Sequence, residues 1–238
     1  MFVKMELINA DKEKGKYCFL LKDVDYTFMN FLRRAIMTEV LTMAVDEVIY
    51  YKNESVMPDE FLANRIGLVP IKGEISDVSK GYIKKKGGMV YSNDIQSNDV
   101  DVLYKNIPLV KLKKDCEVEI ELKMGKGTGK EHVKFQPALV YYREFAETQT
   151  KEKLPKEIEK LVAEGQLKKD GNKLVISETA SYDFCKYCLE QAGFKVKLSE
   201  DIFYLYLELF KNKDLEDIFI DVDEYLKEYF KKISAKLK

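Results

Sequence analysis

The run Gly125-Lys126-Gly127-Thr128-Gly129-Lys130 holds the residue types that cradle phosphate, since glycines let backbone N–H groups converge on an anion and lysine adds charge. Its spacing argues against that chemistry. A Walker A loop needs a glycine five residues ahead of its Gly-Lys pair and Ser or Thr behind it, and those positions hold Met124 and Glu131. The run is expected instead to be a β-hairpin loop carrying exposed lysines, with a nucleotide-binding enzyme as the third reading. Cys185-x-x-Cys188 could supply two thiolates to one zinc or iron. A structural tetrahedral site needs four ligands, and Cys18, Cys116 and His132 fall in other segments. On a helix the pair serves equally well as small apolar residues, so a redox or metal-binding module built on it is the runner-up. His132 is the only histidine, which leaves acid/base and triad schemes one possible centre and no obvious partner. Carboxylates abound, but on lysine-interleaved faces such as 157–160 and 223–228, where they solvate a surface. The arginines are only Arg33, Arg34, Arg65 and Arg143, so planar bidentate recognition has four candidates.

The composition bounds what these residues can serve. The chain has 238 residues, 46% hydrophobic and 34% charged, a profile that supports a packed core. With 40 Lys+Arg against 41 Asp+Glu it has no overall positive field, so direct binding to nucleic acid is not expected. Four cysteines, in unrelated contexts apart from the Cys185/Cys188 pair, do not make a secreted disulfide framework. With no signal-peptide h-region and no apolar run near the ~20 residues of a membrane span, a soluble cytoplasmic protein is expected.

The elements follow from periodicity. Residues 2–7 alternate polar and apolar, and a second alternating run at 17–21 completes a hairpin. Phe28, Phe31, Leu32, Ala35, Ile36 and Val40 recur at helical spacing, with Asp25 or Thr27 as the N-cap. A strand over 44–52, a short helix opened by Pro58 and ended by Gly67, and a strand over 68–71 follow. From 73 to 143, turn residues (Gly73, Gly87-Gly88, Asn93-Asp94, Gly125 to Gly127) separate β-rich runs such as 110–112, 118–122 and 138–142. Residues 151–165 and 182–192 read as helices and 174–176 as a strand, making a small α+β piece. Residues 194–210 read as two strands. Leu215, Ile218, Phe219, Val222, Leu226, Tyr229, Ile233 and Leu237 then form one long apolar stripe. Strands and a helix at both chain ends around an independent middle indicate an interrupted first domain, since about 45 residues at either end could not bury such helices alone. Apolar helix faces of this size mark protein interfaces, unless the helices pack on each other within one domain.

Three stretches carry a resemblance: Asn30-Phe31-Leu32-Arg33-Arg34-Ala35-Ile36 with Thr42-Met43-Ala44-Val45-Asp46; Asp59 to Pro70 (DEFLANRIGLVP); and Val90 to Ile95 (VYSNDI) with Gly129 to Ala138 (GKEHVKFQPA). Together they closely resemble the family of archaeal RNA polymerase D subunits. That family is related to the bacterial alpha amino-terminal domain and to the third-largest subunit of eukaryotic polymerase II. The resemblance covers nearly the whole chain and is weakest over 147–178.

It implies an α+β fold: a discontinuous dimerisation domain (1–48 plus 193–238), an inserted β-rich domain (49–146) and a small ferredoxin-like α+β subdomain (147–192). It implies a non-catalytic assembly subunit that pairs with the small subunit L. The pairing would run through Phe28, Phe31, Leu32, Ala35, Ile36, Ile218, Val222, Leu226, Tyr229 and Ile233. Subunits N and P and the second-largest catalytic subunit would dock on the same platform, with Asn30, Arg33 and Arg34 facing the large subunit. Neither a membrane nor sequence-specific DNA contact is implied. Many relatives carry a cluster motif C-x-x-C-x-x-C-x-x-x-C-P; laid on it, Cys185 and Cys188 take the second and third ligand positions. Tyr182 and Ala192 replace the first and fourth and Gly193 the proline. Only a remnant is left, so no cofactor is expected and the helices are expected to be held by apolar packing. Between Ile71 and Val90 no cysteine remains for the zinc loop of the eukaryotic relatives.

Overall fold

The computed structural model describes residues 4–73 and 79–236; Phe2 and Val3, expected in the first strand, and Leu237, expected in the final stripe, lie outside them. The chain divides into two compact units, each made of two separate stretches: Met1–Arg33 with Val140–Leu207, and Arg34–Leu139 with Glu208–Lys238.

The elements run β1 (Lys4–Asp11), β2 (Lys16–Lys22), α1 (Tyr26–Thr38), β3 (Leu41–Asn53), α2 (Asp59–Gly67), β4 (Ile71–Gly73), β5 (Lys80–Tyr91), β6 (Gln96–Ser97), β7 (Val100–Val102) and β8 (Pro108–Thr128). Then follow β9 (Ala138–Gln149), α3 (Lys156–Ala163), β10 (Leu167–Asp170), β11 (Lys173–Ile176), α4 (Tyr182–Gln191), β12 (Lys197–Leu209) and α5 (Leu215–Lys236). The class is mixed α+β, with one six-stranded sheet and separate smaller ones.

In the first unit the six-stranded sheet has the order β1-β2-β12-β9-β11-β10, so strands from both ends of the chain meet in one sheet. The β1–β2 hairpin pairs antiparallel from Lys4↔Lys22 to Asp11↔Lys16, as the alternation predicts. Helices α3 and α4 share a core with β10 and β11: Ile158, Leu161, Cys185 and Leu189 pack with Leu167, Leu174, Ile176 and Phe194. Each such buried aliphatic side chain contributes roughly 1.5–3 kcal/mol. Residues 194–210 hold one strand where two are expected; no glycine or proline interrupts β12. Helix α3 starts at Lys156, later than expected, because Pro155 sets its N-terminus.

In the second unit β8 is the central strand of β3-β8-β5-β6, bonded to β3 from Leu41↔Thr128 to Asn53↔Val118 and to β5 from Lys80↔Lys123 to Tyr91↔Pro108. Its alternation explains both faces of the sheet. Val118, Ile120, Leu122 and Met124 enter a core with Leu62 and Ile66 of α2. On the other face Glu119 pairs with Lys84 at 3.0 Å, Glu121 with Lys80 at 2.5 Å and Lys123 with Glu47 at 2.6 Å.

Three expected breaks in this region are not breaks. The runs 110–112 and 118–122 belong to the single strand β8. Gly87 and Gly88, at φ +64° and +82°, form a bulge inside β5, where the register shifts, instead of a turn. Gly125 and Gly127 lie within β8, opposite Ala44 and Thr42, so the expected hairpin loop is strand. The glycines there answer close approach. A Cβ on Gly127 would stand 2.6 Å from the Phe135 ring, one on Gly125 2.8 Å from Asp46 Cβ, and one on Gly129 would overlap the Met37 carbonyl oxygen. The expected strand over 68–71 begins only at Ile71, because the Leu68 and Val69 N–H groups close the C-terminus of α2.

Candidate subunit interface

Helix α1 starts where Asp25 Oδ1 accepts the Phe28 N–H at 2.7 Å, so Asp25, not Thr27, is the cap. Of its five apolar candidates, Leu32, Ala35 and Ile36 are buried within this chain, together with Met29. Phe28 and Phe31 are half-buried. On the polar side Arg33 Nη2 donates to Asn30 Oδ1 at 3.0 Å, bringing two of the three docking candidates together, and Arg34 is exposed. The other two arginines are spent on backbone carbonyls, Arg65 on Pro108 and Arg143 on Ser177, each at 2.5 Å.

The start of α5 is fastened by charge. Asp221 accepts the Leu41 N–H at 3.3 Å and pairs with Lys213, whose Nζ also donates to the Leu41 carbonyl at 3.1 Å. Ile218 and Val222 are buried below these contacts and Leu226 is half-buried. Burial, with the Glu39 charge next, pushes the Tyr225 phenol up. From Lys227 to Lys236 every residue is exposed. Tyr229, Phe230 and Ile233 remain 41%, 60% and 39% exposed, with Tyr225–Tyr229 and Tyr229–Phe230 ring centroids each 6.0 Å apart. Among the described residues, the apolar stripe is therefore buried by its own chain in its first half and exposed in its second. Phe230 does not appear in the expected stripe, although its i+4 spacing from Leu226 places it beside that stripe.

The cysteine pair does not extend into a donor set. Cys185 is buried in the α3–α4 core, its Sγ 3.8 Å from Gln166 Oε1, and burial, then the neighbouring Cys188, pushes its thiol up. Among the described residues no three His, Cys, Asp or Glu side chains group to hold a metal. Gly193 has φ +73°, whereas proline is locked near −65°, so the backbone here differs from that of a cluster motif ending in proline. These residues do not fit a four-thiolate cluster. His132 Nδ1 accepts the Lys134 N–H at 3.1 Å, which makes it the cap of a short turn. Among the described residues no helix is long and apolar enough to cross a membrane.

A family model described as the RNA polymerase Rpb3/RpoA insert domain matches residues 37–139. DNA-directed RNA polymerase subunit Rpo3 of Methanocaldococcus jannaschii is 40% identical over 146 residues, 57% of this chain and 76% of that protein. The Rpo3 of Pyrococcus furiosus is 36% identical over 173 residues, 66% of each chain. That of Methanosphaera stadtmanae is 30% identical over 212 residues, 77% of this chain and 78% of the relative. The chain therefore belongs to the Rpb3/RpoA family of DNA-directed RNA polymerase subunits, structural components of that complex rather than carriers of its chemistry.

Proposed function

We propose that this chain is the assembly subunit of an archaeal RNA polymerase, the D subunit, which pairs with the small subunit L and nucleates addition of the large catalytic subunits. The observation that carries the reading is the second half of α5, an apolar and aromatic surface that is exposed among the described residues. Apolar faces of this kind mark protein interfaces, and aromatic residues dominate their energetics. In this reading the half-buried Phe28 and Phe31 on α1, and separately Leu226, Tyr229, Phe230 and Ile233 on α5, meet helices of L. Leu32, Ala35 and Ile36, buried in this chain, back the α1 side from within, and Ile218 and Val222 back the α5 side.

Asn30, Arg33 and Arg34 face the second-largest catalytic subunit, and subunits N and P complete the platform. The ends of the chain (1–48 and 193–238) make up the dimerisation domain, 49–146 the insert, and 147–192 a ferredoxin-like subdomain that works without a cofactor. The complex acts in the cytoplasm. Co-expression with the small subunit tests the pairing: a stable one-to-one heterodimer is expected, lost on Phe230→Asp or Ile233→Asp. A heterodimer of unchanged yield in both variants would refute the assignment of this surface.

A further inference from the structure

Helix α4 is gripped at both ends by cations that come from β9 and the residues just after it. At its first residue, Tyr182, the ring lies 5.5 Å from the Arg143 guanidinium, which also sits 5.3 and 5.6 Å from the rings of Tyr204 and Tyr206. The same guanidinium donates to the Ser177 carbonyl at 2.5 Å, just ahead of the helix. Its buried Nε has no hydrogen-bond partner among the described residues, and three tyrosine rings lie within cation–π distance of the guanidinium. At the other end Lys151 Nζ donates to the carbonyls of Ala192 and Gly193, 3.2 Å each, and lies 4.3 Å from the Phe194 ring centroid. A cation on the final carbonyls of a helix also complements its dipole. The backbone closes the same turn: the Gly193 N–H bonds Glu190 O at 3.0 Å and the Phe194 N–H bonds Leu189 O at 2.9 Å, with Gly193 in the left-handed region. This is a Schellman closure, and its apolar contact is supplied by Phe194 and Leu189 in the shared core.

The two gripped residues, Tyr182 and Ala192, occupy the outer two positions of the C-x-x-C-x-x-C-x-x-x-C spacing, while Cys185 and Cys188 between them point to the core side and an intermediate position. We propose that Arg143 and Lys151 are the positioning residues that fasten the two ends of α4 to the sheet. Apolar packing on one side of α4 is thus completed by two cation clamps, and the segment folds without metal. This inference concerns the first unit alone; its comparison with a cluster motif rests on the family reading, whereas the two clamps do not.

Hydrogen exchange on the full chain tests it. The α4 amides are followed in the unaltered protein, in Arg143→Lys, in Lys151→Met, and in the unaltered protein after exhaustive dialysis against an iron and zinc chelator. Exchange of residues 185–194 is expected to accelerate by about tenfold in each variant, the ratio matching a cation–π contact or a charge-assisted hydrogen bond of ordinary strength. Amides of β8, in the other unit, should keep their rates in every sample, and the chelator should change nothing. Unchanged α4 exchange in Lys151→Met, whose substitution lies at an exposed position and spares the core, would overturn the C-terminal clamp. Unchanged exchange in Arg143→Lys would overturn the N-terminal one. Loosening of α4 by chelator alone would overturn the metal-free claim.

Discussion

Gly127→Ala tests whether the glycine run exists for close packing. The new methyl carbon would stand 2.6 and 2.7 Å from Cε2 and Cδ2 of Phe135 and 2.7 Å from Glu131 Oε2. Ordinary contact requires the ring to withdraw by roughly 1 Å, yet Phe135 is buried and its carbonyl accepts the Thr42 hydroxyl. Glu131 is also engaged, accepting the Thr128 N–H at 2.7 Å. Overpacking of a fixed site costs about 1–3 kcal/mol, so a loss near 2 kcal/mol is expected. For a chain of this length that is a fall in Tm of roughly 4–8 °C. Gly129→Ala should cost more, because its obstacle is the Met37 carbonyl in α1 and the adjacent Lys130 N–H bonds Thr38 O at 3.1 Å. Gly67→Ala is the control: its Cβ would meet only Val45 O at 3.6 Å and Lys134 Cδ at 3.8 Å, at the end of a helix, so it should be neutral or stabilising by up to about 1 kcal/mol. Differential scanning calorimetry of the three variants gives the order. Equal melting temperatures for Gly127→Ala and the unaltered chain, or a fall in Gly67→Ala matching that of Gly129→Ala, would refute the packing argument.

Other expectations follow from the same contacts. Phe230→Asp, at an exposed position, should leave the Tm of the isolated chain within about 2 °C, whereas Ile218→Asp, buried in the chain's own core, should cost several kcal/mol; thermal melts separate them. Leu32→Asp belongs with Ile218→Asp for the same reason, and loss of pairing without loss of folding in that variant would contradict its burial. Arg34→Ala should spare pairing with the small subunit and weaken docking of the large one in stepwise reconstitution; loss of the small subunit instead would mean that the helix faces are reversed. Burial pushes the Glu178 carboxyl up, but Lys168 at 2.6 Å, backbone N–H and Ser177 outweigh it and hold its pKa below the ordinary 4.5. Its stabilisation is therefore present above the unfolded value and lost as the pH falls through the lower folded one. Lys168→Met should move acid unfolding, followed by the near-ultraviolet tyrosine signal, to higher pH; an unmoved midpoint would argue against the ion pair.

Periodicity made most elements legible. The α1 and α5 stripes, the first hairpin, α2 and the α4 pattern are visible because apolar residues repeat at 3.6 or 2 over enough positions to exclude the alternative. Glycine was harder to read. At 87–88 a pair with positive φ makes a bulge and at 125–129 the same residue relieves close approaches, and a sequence alone does not separate either from a turn. The boundary between own core and free surface along α5 was not legible either. One stripe runs through Ile218, Val222, Tyr229 and Ile233, and the burial of its first part beside the Lys213 and Asp221 contacts with Leu41 is set by tertiary structure. Arg143 and Lys151 carried no local signal, since their partners lie 34 to 63 positions away in the chain.

The central claim is that the chain works as a structural subunit of RNA polymerase, and its most direct test is to isolate the tagged chain from its native cells at moderate salt and identify by mass spectrometry what accompanies it. Recovery of the two large polymerase subunits with a partner of roughly 10 kDa, the size of a small single domain, is the predicted result. Recovery of the chain alone, or with redox proteins and no polymerase subunit, would contradict it.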